Sequence, residues 1–213
     1  PSVTLCRDLL RKRGAKVKGG LPALVMGPPD RDLPKADVEA KEVARHFDVR
    51  PYQYEEMRIA VLKEHAGNVR WVHLSTHSGF DRDDFLRSWI LFHGQVLRLS
   101  QLFSDESLDM GSLELWYEGS CESAGSEPGL TDELMGFIRA LIYVGARSVM
   151  ATLWPVEDES ACFFGQRFYF HLKGGKRKVE AYKEAVCELM SDSRFSNPYF
   201  SAPFVLFGDA LME

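Results

Sequence analysis

Leu113–Gly125 reads LELWYEGSCESAG, an apolar-leaning run that stops abruptly in small residues around Cys121. Such a run predicts a buried strand that ends in a tight turn and presents one thiol at the rim of a sheet. Upstream, Arg70–Ser75 ends the same way in Thr76, His77, Ser78 and Gly79, which puts an imidazole where a second strand gives out. A thiol and an imidazole at two strand ends are the minimum set for a nucleophile with a proton carrier. A cysteine in an α/β protein commonly serves as a small buried hydrophobe. Around Cys121, however, Gly119, Ser120, Ser123, Ala124 and Gly125 offer nothing bulky to bury it and leave room for a substrate backbone. Cys162 and Cys187 fall within helical patterns and keep the structural reading; Cys6 is uninformative.

His46, His65, His93 and His171 read as histidines bonded to nearby backbone, and His73 lies too deep in its strand to reach a substrate. His77 differs because Ser78 and Gly79 are small enough to turn their N–H groups toward a developing oxyanion. The chemistry expected is then acyl transfer. Cys121 attacks a peptide carbonyl as thiolate, and His77 gives a proton to the leaving amine. The amide of Cys121, with that of Ser78 or Gly79, holds the oxyanion. No third carboxylate, cofactor or metal-ligand set is nominated by these residues.

Along the chain, strands are predicted at Pro22–Met26, Val49–Tyr52, Arg70–Ser75, Leu113–Tyr117, Ser148–Leu153 and Phe204–Phe207. Ala40, Val43, Ala44 and Phe47 fall at helical spacing within Lys35–Phe47. Further helices are expected at Tyr54–His65, from Thr131 to Gly145, Glu157–Leu172 and Lys178–Met190, with a short helix or loop at Gln101–Asp109. Ser88–Ser100 reads as a hairpin turning at His93-Gly94. Strands alternating with helices predict an α/β fold whose mostly parallel sheet is covered on both faces. Ligands of such sheets sit beyond the carboxyl ends of the strands. His77, Cys121 and the pair Glu157-Asp158 each follow a separate strand, which argues for one shared site.

With 213 residues, 45% of them apolar, and no internal repeat, the chain is read as a single domain. Its first twenty residues form a basic segment docked on the domain or linking to an upstream region. The start at Pro1, without Met, is read as a domain cut from a longer protein or a processed product. A net charge of −5 argues against nucleic acid as a direct partner, and the basic runs Arg7–Lys18 and Lys173–Lys178 read as solvated or docking surfaces. No apolar run has the length of a membrane span or secretory signal, and the four cysteines form no CxxC pair, so a cytoplasmic protein with free thiols is expected.

The order and spacing of LPALVMGPPDRDLPKADVEAKEVARHF, VHLSTHSGF, LELWYEGSCESAG, GARSVMATLWPVEDE and FVLFGD resemble the CHAT domain, the caspase-like domain found with tetratricopeptide repeats. The resemblance runs from about Leu21 to Asp209. It implies a caspase-like α/β/α sandwich and, in active members, a Cys–His peptidase related to caspases, separase and gingipains, with His77 and Cys121 as the dyad. It also implies a protein substrate and control by an upstream sensor or repeat region or a partner protein, in several members for prokaryotic antiviral defence. Family members mostly carry Gly after the His and Ser-Ala-Cys at the nucleophile, where this chain has Ser78 and Gly119-Ser120-Cys121. LWPVEDE resembles the separase segment whose acidic residue lines the pocket for a basic side chain. That makes Asp158, beside Glu157, the candidate floor of S1. The competing role for Glu157 and Asp158 is to cap the helix that follows. Two other functions compete: a CHAT-like interaction module without activity, and a nucleotide-binding domain. The second lacks both GxGxxG and GxxxxGK[ST].

Overall fold

Among the described residues the strands are, in chain order, β1 (Ala23–Met26), β2 (Trp71–Leu74), β3 (Ser78–Gly79), β4 (Trp89–Phe92), β5 (Gln95–Arg98), β6 (Leu115–Glu118), β7 (Ser148–Thr152) and β8 (Phe204–Gly208). The helices are α1 (Pro34–Phe47), α2 (Ile59–His65), α3 (Leu99–Ser104), α4 (Asp132–Tyr143), α5 (Asp158–Lys173) and α6 (Lys178–Ser191). The structure, a computed structural model, describes residues 22–28, 33–81, 83–108, 110–111, 113–119 and 132–209. The basic segment Arg7–Lys18, the cap at Thr131 and Cys121 all lie outside the described residues.

The main sheet has the order β1-β2-β6-β7-β8, with β1, β2, β6 and β7 parallel and β8 antiparallel to β7. Side chains alternate across it, and both faces are buried, which is why these strands read as continuous apolar runs. Leu24, Met26, Val72, Leu74, Trp116 and Val149 pack toward α2, α4 and the small sheet β3-β4-β5. Ala23, Val25, Trp71, Leu115, Tyr117 and Met150 pack toward α1, α5 and α6. The result is the expected α/β/α sandwich.

Among the described residues, local structure departs from the periodicity between Val49 and His65. The helix expected from Tyr54 splits into a 3-10 turn at Tyr54–Glu56 and α2, while Val49–Tyr52 contributes only an isolated parallel bridge from Tyr52 to Met26. The hairpin forms as expected, with Gly94 at φ 62° where a left-handed residue is needed.

Candidate active site

β4 grips the segment that follows β2. Thr76 Oγ1 donates to the carbonyl of Leu91 at 2.9 Å, and the amide of Leu91 donates to the carbonyl of His77 at 2.8 Å. Ser78 and Gly79 then pair with Ile90 and Trp89, so the two residues after the imidazole form β3 rather than an open loop. Gly79 has no room for a side chain, because a Cβ there would lie 2.6 Å from the Trp89 indole. His77 itself is half-buried, beyond the carboxyl end of β2.

β6 lies beside β2 in parallel register, with Leu74 opposite Glu118. The amide of Gly119 continues the ladder by donating to the carbonyl of Leu74 at 3.2 Å. In sequence, His77 and Cys121 each follow a member of that pair by three residues, and Cys121 itself lies outside the described residues.

Asp158 occupies the first position of α5, past the end of β7. It does not cap its own helix. Its carboxylate accepts the amide of Lys35 at 2.8 Å and is also held by the amide of Ala36. Leu33, the residue before α1, has no side chain able to cap, so an acid from α5 satisfies donors that α1 leaves open. Partial burial pushes the Asp158 carboxyl up; the Lys35 and Ala36 amides oppose the rise, and His77 is near enough to act on it in the same sense. Glu157 stands at the cap position of α5 without a side-chain capping bond, its carbonyl taking the Ser160 hydroxyl at 2.9 Å.

Sequence reasoning missed a buried polar cluster beneath these strand ends. Ser75 Oγ donates to Glu39 Oε2 at 3.1 Å, His73 Nε2 lies 2.8 Å from Ser75 Oγ, and His73 Nδ1 lies 3.3 Å from the hydroxyl of Tyr169. With the Ser75 proton given to Glu39, His73 carries its proton on Nε2 and accepts from Tyr169. The His73 ring stacks on Tyr117 at 4.5 Å, and the Tyr117 phenol faces Glu39 Oε1 without closing a good hydrogen bond. Burial pushes the Glu39 carboxyl up to about 8 against the Ser75 bond, with Asp158 adding to the rise; burial alone pushes His73 down to about 3. The pair is thus a neutral acid beside a neutral imidazole at pH 7. Across the sheet Glu118 is also buried, with burial raising its carboxyl well above the usual range. Glu39 was visible as an acid among Ala36, Ala40, Val43 and Ala44 on the buried stripe of α1, and a charge in such a stripe is the available signal.

Of the two helical cysteines, Cys162 keeps the buried structural reading and Cys187 does not, its helix turning it to the surface. Cys162 is buried, and that burial pushes its thiol up to about 12, while Cys187 is exposed on α6. His65 and His171 bond side chains rather than backbone: Nε2 of His65 lies 3.2 Å from the Tyr52 hydroxyl, and Nε2 of His171 lies 2.8 Å from Glu188. Among the described residues no three His, Cys, Asp or Glu side chains are grouped to hold a metal ion, and no helix is long and apolar enough to cross a membrane.

This arrangement has a counterpart of known fold. The crystal structure of the Arg specific cysteine proteinase gingipain R superposes with a TM-score of 0.63 at 11% identity, covering 96% of this chain and 51% of that one. In sequence the chain is 32% identical over 90 residues to human tetratricopeptide repeat protein 28, and 34% identical over 77 residues to the mouse protein. Those stretches cover 42% and 36% of this chain but only 4% and 3% of the two repeat proteins. The family profile of the CHAT domain matches residues 1–209. With the parallel sheet and its sandwich layers already established, the chain belongs to the CHAT domain family.

Proposed function

We propose that this chain is a cysteine endopeptidase domain in which Cys121 attacks a peptide carbonyl and His77 carries the proton to the leaving amine. The observation that carries the reading is the register of Leu74 with Glu118, because it starts the His77 and Cys121 segments side by side at the carboxyl edge of the sheet. The oxyanion is held by the amide of Cys121 with one from the β3 segment. Of the two candidates Ser78 is favoured over Gly79. The Leu91 amide donates to the His77 carbonyl, so in an alternating antiparallel ladder the next residue, Ser78, aims its amide away from β4. Each such donor is worth about 3 kcal/mol in acyl-transfer enzymes.

Asp158, with Glu157 beside it, is the acid for a basic P1 side chain. Its nearness to His77 supports that role, and the Arg specificity named for gingipain R is compatible with it. The substrate is a protein, and activation comes from an upstream repeat region or a partner protein, in keeping with the repeat proteins that share this sequence. Antiviral defence is a setting that such control suits.

The test is cleavage of a positional peptide library and of candidate protein substrates by the intact protein. Cys121→Ala and His77→Ala should each lower kcat/KM by about a thousandfold or more with the fold unchanged. Equal cleavage by Cys121→Ala would remove the enzyme reading in favour of an interaction module.

A further inference from the structure

Among the buried residues of α1, Glu39 alone is ionisable, and an apolar side chain of similar volume would fill its place without desolvating a carboxyl. What the carboxyl touches explains its presence. On one side it accepts the hydroxyl of Ser75, two residues before His77. On the other, a Cβ built on Gly119, two residues before Cys121, would lie 3.8 Å from both of its oxygens. The slot is prepared for it: a Cβ on Gly165 of α5 would come within 2.1 Å of Glu39 Oε1. The Lys35 amide, donating to the Asp158 carboxylate, fixes the same helix at its first turn.

We infer that Glu39 is a positioning residue for the proposed dyad: from α1 it accepts the Ser75 hydroxyl at the end of β2 and packs beside Tyr117 and Gly119 at the end of β6, and so sets how the two reactive segments meet. The inference rests on the dyad reading. Glu39 touches no substrate. His73 bonds Ser75 and lies 3.6 Å from Glu39 Oε1, Tyr169 holds the His73 ring from its other nitrogen, and Tyr117 flanks the carboxyl from β6. Glutamine keeps an acceptor for Ser75 and nearly the same shape; leucine keeps the volume and loses the tie.

The experiment follows Cys121 alone, by iodoacetamide alkylation of the intact protein read per cysteine by peptide mass spectrometry across pH 5–10. His77→Ala provides the reference for a thiol without its imidazole. The parent should alkylate at pH 7 about tenfold faster than that reference, with a lower pH midpoint. Glu39→Leu should move both rate and midpoint toward the His77→Ala values, while Glu39→Gln stays within about threefold of the parent. Circular dichroism and thermal melting check the fold. If Glu39→Leu fails to fold, Ser75→Ala removes the same tie from the other end and takes its place. A folded Glu39→Leu or Ser75→Ala with the parent's Cys121 profile overturns the positioning role and leaves the dyad standing. A His77→Ala profile equal to the parent's overturns the dyad, and the positioning role with it.

Discussion

Leu74 on β2 stands directly opposite Glu118 on β6, and the amide of Gly119 closes the ladder on the Leu74 carbonyl at 3.2 Å. Counted along the chain, the two proposed reactive residues are equally distant from that pair. Deleting Ser120 leaves β6 intact and sets Cys121 two residues beyond the pair while His77 stays at three. A misplacement near 1 Å can cost about a hundredfold in rate, so cleavage by the deletion variant should fall at least that far. Circular dichroism should be unchanged.

Gly165 exists to admit the carboxyl of Glu39. Gly165→Ala should destabilise the protein by about 1–3 kcal/mol in urea titrations, because its methyl overlaps Oε1. Combined with Glu39→Ala, which vacates the overlapped space, the cost should fall well below that of the single change. Additive costs in the double-mutant cycle would contradict the slot.

The pH profile of stability carries two opposed slopes. Glu39 rises from 4.5 to about 8 on folding, so between those values the unfolded chain has lost a proton that the folded chain keeps, and stability falls as pH rises. His73 drops from 6.5 to about 3, so across that interval the unfolded chain gains a proton that the folded chain refuses, and stability falls as pH drops. Glu118 shares the direction of Glu39, which makes a variant difference the clean measurement. Glu39→Gln should gain on the parent by roughly 2 kcal/mol between pH 6 and pH 8. A constant difference would show that Glu39 is ionised throughout.

Asp158 has two separable properties, an acceptor for the first turn of α1 and a charge near His77. Asp158→Asn keeps an acceptor and should stay within about 0.5 kcal/mol of the parent, whereas Asp158→Ala should cost about 1 kcal/mol. In the peptide library both should lose the preference for Arg or Lys at P1. Retained preference in either variant would assign Asp158 to helix capping alone.

At the opposite end of the sheet, Glu114 lies between two buried cations. Arg147 Nη1 is 2.7 Å from its Oε1, and Lys178 Nζ, which burial pushes down to about 8, lies 3.9 Å from its Oε2 while donating to its backbone carbonyl at 3.1 Å. Glu114→Ala should destabilise the fold by about 3–5 kcal/mol, as it strips two buried cations of a shared anion. Glu114→Gln should fall between the two in thermal melts, and neither change should shift the alkylation profile of Cys121.

The layers of this protein were legible in the sequence because they depend on local rules. Apolar runs such as SVMAT and the stripe Ala40, Val43, Ala44, Phe47 announce buried strands and helix faces whatever surrounds them. The family could also be read there, since the order of its motifs is a property of the chain. Tertiary structure decided what those rules leave open. Periodicity cannot tell that Asp158 would reach across to α1 rather than cap α5, because the donors it satisfies lie 123 residues away. Nor does it say which glycine makes room for which acid: Gly165 and Glu39 meet only because α5 packs on α1. Strand order likewise sets the Leu74–Glu118 register, since pairing between distant segments is chosen by the packing of the whole sheet and not by either strand alone.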